Sequence, residues 1–166
     1  MKPPFIDNRF VRRFSLSTPV ALAPMALATG GELAAACARA GALALVGGGY
    51  GDLEWTQREY RGAVNLLGDD AAALARLGCG FISWKLAEDR SALDWLLDQS
   101  HRPASVMLSF GDPSRFGRIL SDHGIPIICQ IQTIAQLPAA LEAGASVIVA
   151  QGCEAGGHGM NAFEGR

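Results

Sequence analysis

Apolar residues in this chain fall into short unbroken runs, and most of these runs follow a mixed segment that closes on a glycine. "ARAGALALVGGG" turns at Gly41, "ARLGCGFISW" at Gly78, "SDHGIPIICQI" at Gly124 and "LEAGASVIVAQG" at Gly144. Glycine just past a helix takes the left-handed cap conformation without a Cβ clash. The runs that follow do not alternate apolar with polar residues. They therefore read as strands covered on both faces, as in a parallel sheet sheathed by helices. Strands are predicted near Val20–Leu22, Ala42–Val46, Gly80–Trp84, Ser105–Phe110, Pro126–Ile131 and Val147–Gln151.

The intervening segments carry helix signals. In "GDPSRFGRILSDHG", Asp112 is the expected N-cap and Pro113 the first helical residue; Phe116, Ile119 and Leu120 share a face before Gly124. Thr133 and Gln136 stand at capping-box spacing, with Leu137 and Leu141 on one face. Pro138 would delete a hydrogen bond in a helix begun at Thr133, so a later start with Pro138 in the first turn is the alternative. An Ala-rich helix is predicted from about Glu32 to Ala40, and a long one within Asp52–Leu77, broken near Gly68. About six βα units result. Such alternation leaves an open doubly wound sheet or a closed (β/α)₈ barrel. No G-x-G-x-x-G turn follows the first strand, which disfavours a dinucleotide-binding unit. "VGGGYGD" lacks a Walker lysine and reads equally as a plain turn or a ligand loop.

Composition narrows the classes further. The 166 residues are 49% hydrophobic, enough for one domain over residues 1–166, and the formal net charge is −2. The one basic cluster, Arg9, Arg12 and Arg13, reads as a solvated face, so no nucleic-acid partner is expected. The N-terminus has no secretory apolar core, and no apolar run approaches the roughly 20 residues that cross a bilayer; no membrane partner and a cytoplasmic location are expected. Cys37, Cys79, Cys129 and Cys153 form no C-x-x-C pair and read as reduced small residues, with Cys153 semi-buried. No metal-ligand cluster is apparent.

Ligands of parallel α/β folds bind at the carboxyl ends of the strands. There the chain offers Ala23-Pro24-Met25, then "GGGYG", Trp84-Lys85, "FGD", "QIQT" and finally "QGCEAGGHG". The last is the richest. Gly152, Gly156, Gly157 and Gly159 bare the backbone for close approach to a flat or phosphorylated ligand. Glu154 and His158 add titratable groups, and an imidazole with an ordinary pKa of roughly 6.5 suits proton abstraction near neutrality. A plain glycine turn with a solvated histidine accounts for the spacing as well. Met25 could pad an aromatic ring or pack in the core, and of Gln130 and Gln132 one is expected to face the site.

"PVALAPMA", "LALVGGGYGD", "GFISW", "SVMLSFGDP", "IICQIQT" and "ASVIVAQGCEAGGHG" together resemble the nitronate monooxygenases, once called 2-nitropropane dioxygenases, from about Pro19 to Gly159. The A-Q-G-x-E-A-G-G-H string is the most specific part, with Cys153 at its variable place. The resemblance implies an FMN-containing (β/α)₈ TIM barrel that oxidises alkyl nitronates and nitroalkanes with O₂. It implies His158 as the catalytic base for neutral nitroalkanes. It also implies Gln151, Gly152, Gly156 and Gly157 with Ala23, Pro24 and Met25 as the FMN-binding positions. An FMN-dependent enoyl-acyl carrier protein reductase shares the barrel and much of the glycine pattern, and a catalytically inactive barrel fragment with a structural or regulatory role is a third reading.

A full barrel takes about 250 residues, and its phosphate site usually lies after strands seven and eight. Six βα units predict an incomplete (β/α)₈ barrel, the N-terminal part of the FMN-binding fold with the closing strands absent. An open edge of this kind invites self-association.

Overall fold

A computed structural model describes residues 6–159; the chain end at Arg166 lies outside the described residues. Six parallel strands form one sheet in sequential order: β1 (Ala21–Leu22), β2 (Leu43–Gly49), β3 (Leu77–Ile82), β4 (Val106–Ser109), β5 (Ile127–Ile131) and β6 (Ala145–Ala150). The sheet curls into an open, incomplete α/β barrel, as the sequence implied. Helices cover its outer face: α2 (Gly31–Arg39) after β1, α3 (Leu53–Leu67) and α4 (Ala71–Leu74) after β2, and α5 (Ser83–Leu86) and α6 (Ser91–Leu97) after β3. Then α7 (Ser114–Asp122) follows β4, and α8 (Leu137–Glu142) follows β5. No helix among the described residues is long and apolar enough to cross a membrane.

Side-chain alternation along each strand sorts two cores. Ala44 and Val46, Cys79 and Phe81, Val106 and Leu108, and Ile127 and Cys129 point outward and pack with the helices. Leu43, Leu45, Met107 and Ile128 point inward and meet Val11, Phe14 and Leu16. These last come from α1 (Arg9–Phe14) and the residues after it, which plug the amino end of the half-barrel. From the sequence only a solvated basic face is expected here. Arg9, Arg12 and Arg13 do face outward, but Val11 and Phe14, three residues apart on the opposite face, are buried. Asn8 caps the helix by accepting a hydrogen bond from the Val11 N–H at 2.9 Å.

Several boundaries shift from expectation. β3 begins at Leu77, and Trp84 and Lys85 belong to α5. Gly78 is therefore a strand residue, where a Cβ would stand 2.6 Å from the Ser105 carbonyl oxygen; Gly41, Gly124 and Gly144 are the helix-ending glycines with positive φ. β2 runs on through Gly47–Gly49, so most of "VGGGYG" is strand and not turn. Ahead of α7, Pro113 occupies the cap position, while Asp112 accepts from the Ser114 N–H at 2.9 Å. The long helix does break at Gly68, and α8 does start late with Pro138 in its first turn, after a 3-10 turn at Ile134–Gln136. β6 is half-exposed where two-sided cover was expected: it pairs with β5, and no other strand joins it among the described residues.

Candidate active site

The inward register that gives an apolar floor gives a polar rim two residues later. Met107 is followed on the same face by Ser109, and Ile128 by Gln130. At the carboxyl ends these open into a cleft of about 270 Å³. Its walls include Ala23, Pro24, Met25, Phe81 and Ile82, and its polar lining includes Ser109, Gln130 and Gln151. Gly156, Gly157 and His158 close one side.

The loop after β1 is fixed by buried Thr29, whose hydroxyl donates to the Ala23 carbonyl at 2.8 Å and accepts from the Met25 N–H at 3.2 Å. It lies so close over β2 and β3 that a Cβ on Gly47 would overlap the Met25 carbonyl oxygen, and one on Gly80 would overlap the Pro24 ring. The glycines of these strands thus seat the loop that forms the cleft wall.

Amides tie the opposite side together. Ser109 Oγ donates to Gln130 Oε1 at 3.0 Å, and Gln130 Nε2 donates to Gln151 Oε1 at 2.6 Å. Gln132 Nε2 donates to the same Gln151 oxygen at 2.6 Å. With its oxygen so engaged, Gln151 turns its Nε2 to the main-chain oxygen of His158 at 2.9 Å. Both Gln130 and Gln132 therefore lean toward the site side of the sheet, where one had been expected to face the helices; Gln130 lines the cleft.

His158 is exposed at the mouth. Its imidazole stands 3.5 Å from the Tyr50 hydroxyl and 6.2 Å from the Phe110 ring centroid. Phe110 takes a left-handed φ of 55°, a costly conformation for a bulky residue. Its carbonyl accepts from the Trp84 N–H at 3.1 Å, and Gly111 behind it has a φ of 133° where a Cβ would come within 2.8 Å of that nitrogen.

Of the residues expected at the site, Ala23, Pro24, Met25, Gln151, Gly156, Gly157 and His158 come together around the cleft. Gly152 stands outside the lining, covered by the Glu154 carboxylate. Cys153 is exposed and not semi-buried, because its turn projects from the sheet. Burial pushes the Cys79 thiol up to about 12, against hydrogen bonds from the Gly48 and Gly80 backbone, and the Cys129 thiol up to about 11. Neither supplies a thiolate near neutrality. Lys85, which the sequence offers after the third strand, pairs with Glu88 at 2.7 Å. Tyr50, Ser109 and Phe110 were not singled out, although each ends or follows a strand and the strand-end rule reaches them.

No family model matches the chain. A nitronate monooxygenase from Pseudomonas aeruginosa is 31% identical, the match covering 92% of this chain and 52% of the relative. The resemblance drawn from the sequence motifs is thereby borne out, and the chain spans about half the length of that relative. Among solved structures, FabK from Thermotoga maritima superposes with a TM-score of 0.73 and a point mutant of it with 0.77. Each is 22% identical and covers 92% of this chain and less than half of its own. That likeness shows the fold, an incomplete barrel of the same architecture.

Proposed function

From the resemblance to the nitronate monooxygenases over nearly all of its length, we propose that this chain carries the base-bearing half of a flavin-dependent oxidation of nitroalkanes and their nitronates. One observation carries this reading: an exposed imidazole stands at the mouth of a cleft with apolar walls, amide groups and bare glycine backbone. The residues present suit the ring system of FMN. A Cβ on Gly156 or Gly157 would meet nothing within 4 Å, so bare backbone faces the open cleft. Pro24 and Met25 offer apolar padding, and the Gln130 and Gln151 amides offer hydrogen bonds to a heteroaromatic edge. FMN, when bound, supplies the acceptor for substrate electrons, with O₂ as final oxidant. The protein's own task is then to hold the ring and to move a proton. His158 takes the proton from the carbon bearing the nitro group of a neutral nitroalkane; a preformed nitronate needs no such step.

The test is FMN titration of the protein followed by oxygen uptake with nitroethane and with its nitronate. His158→Asn is expected to lower nitroethane turnover by about 10²-fold or more, the scale of general-base catalysis, while sparing the nitronate. Equal rates of the variant and the parent on nitroethane would overturn the role of His158. Consumption of NAD(P)H with an enoyl thioester in place of nitronate-dependent oxygen uptake would favour the enoyl reductase reading. Failure to take up FMN at all would favour the inactive fragment.

A further inference from the structure

Tyr50 follows β2, and its hydroxyl lies 3.5 Å from Nε2 of His158. The phenol ring is braced edge-to-face by Trp84, with 6.2 Å between centroids. On another side the imidazole meets Phe110 at a 66° interplanar angle, held there by a backbone that the Phe110–Gly111 turn forces into left-handed φ. The His158 main chain is anchored by Gln151. Neighbouring charged groups on the same loops have other partners. Asp52 accepts from the Trp55 N–H at 2.7 Å, Lys85 pairs with Glu88, Asp112 is held by Ser114, and the Glu154 carboxylate lies against Gly152. Among the described side-chain contacts, the Tyr50 oxygen is the polar atom offered to this imidazole.

A phenol both donates and accepts, whereas a protonated imidazole only donates, from both nitrogens. Once His158 is cationic, Nε2–H must donate to Tyr50, and a hydrogen bond from a charged donor is roughly twice as strong as a neutral one. We propose that Tyr50 is a positioning residue that holds His158 through Nε2, leaves Nδ1 as the nitrogen that takes the substrate proton, and stabilises the imidazolium that results. This rests on the proposed function. In the step, the C–H bond beside the nitro group breaks, its proton bonds to Nδ1, and the electron pair stays on the nitronate. The proton later leaves the exposed ring for water.

Tyr50→Phe removes one oxygen and keeps the ring against Trp84. The first measurement is NMR titration of the histidines in the full chain, with His158 assigned by its loss in His158→Asn. The variant is expected to lower the proton affinity of His158 about threefold, the scale of one charge-assisted hydrogen bond against a neutral one, with His101 and His123 unmoved. An unchanged His158 titration overturns the proposal. The second measurement is the ratio of nitroethane to nitronate turnover, expected to fall about tenfold in the variant. A parallel fall on both substrates overturns the positioning role. If the parent protein oxidises neither substrate, the proposed function fails, and the titration alone decides whether Tyr50 holds His158.

Discussion

The two ends of the half-barrel use the same strands and the same inward register for opposite ends. At the amino end, Leu43, Leu45, Met107 and Ile128 are sealed by Val11, Phe14 and Leu16 in an all-apolar plug. Two residues on, Ser109 and Gln130 begin a polar, glycine-rimmed cleft in which one aromatic residue is held in an unfavourable backbone conformation. Barrels of this type separate stability from chemistry along the strand axis, and here the boundary falls within a single pleat repeat.

The sharpest way to break this division is to delete an aromatic ring at each end. Phe14 is 5% exposed and completes the plug; Phe14→Ala should cost about 3–5 kcal/mol of stability in urea unfolding, as large-to-small core changes do. At the mouth, Phe110→Gly loses a half-buried ring but relieves about 1 kcal/mol of left-handed strain, so the net loss should stay below about 1.5 kcal/mol. Equal losses at the two sites would erase the distinction.

Gly80→Ala probes the join between the two regions. Its new methyl would overlap the Pro24 ring, and a proline ring cannot swing aside. The expected cost is about 1–3 kcal/mol, as for overpacking, together with weaker FMN uptake in an absorbance titration because the cleft wall moves. Asn8→Ala removes the cap that holds the plug helix and should cost about 1 kcal/mol without altering FMN uptake. If it weakened uptake as much as Gly80→Ala, floor and mouth would be coupled.

The smallest effect is expected at Asp112. The Ser114 hydroxyl and then its N–H hold this carboxyl below its usual value of 3.8. A lowered folded value means that the contribution is present above pH 3.8 and is lost as pH falls through the folded value. Asp112→Asn should therefore change stability by about 0.5 kcal/mol at most at neutral pH, as surface substitutions do, with the difference vanishing in acid. A larger loss would show that the loop after β4, and with it Phe110, is fastened through this turn.

Much of the fold was legible because short-range rules govern it. The glycine-ended helices at Gly41, Gly124 and Gly144, the break at Gly68 and the late start at Pro138 all follow from backbone sterics that a local string encodes. Gly78 and Gly47 misled for the same reason. They look like punctuation, but the close approach of Ser105 and Met25, remote in sequence, is what requires them. The plug helix escaped notice because its two buried residues, Val11 and Phe14, are set among arginines. The site was partly legible: the strand-end rule led to His158 and the family resemblance to Gln151, while Tyr50 and Phe110 carried no motif of their own.

Taken alone, the sequence determined the order of parallel strands and helices, the unbroken apolar runs that form the strands, and the glycine-rich turn that bears His158. Backbone propensities and side-chain period are local properties, and one chain displays them directly. Tertiary structure decided that Tyr50 meets that imidazole, that three glutamines share one amide oxygen, and that β6 stays half-exposed where β2 is buried. Each of these depends on which surfaces meet across the curl of the sheet, and that contact has no signature in any single stretch of residues.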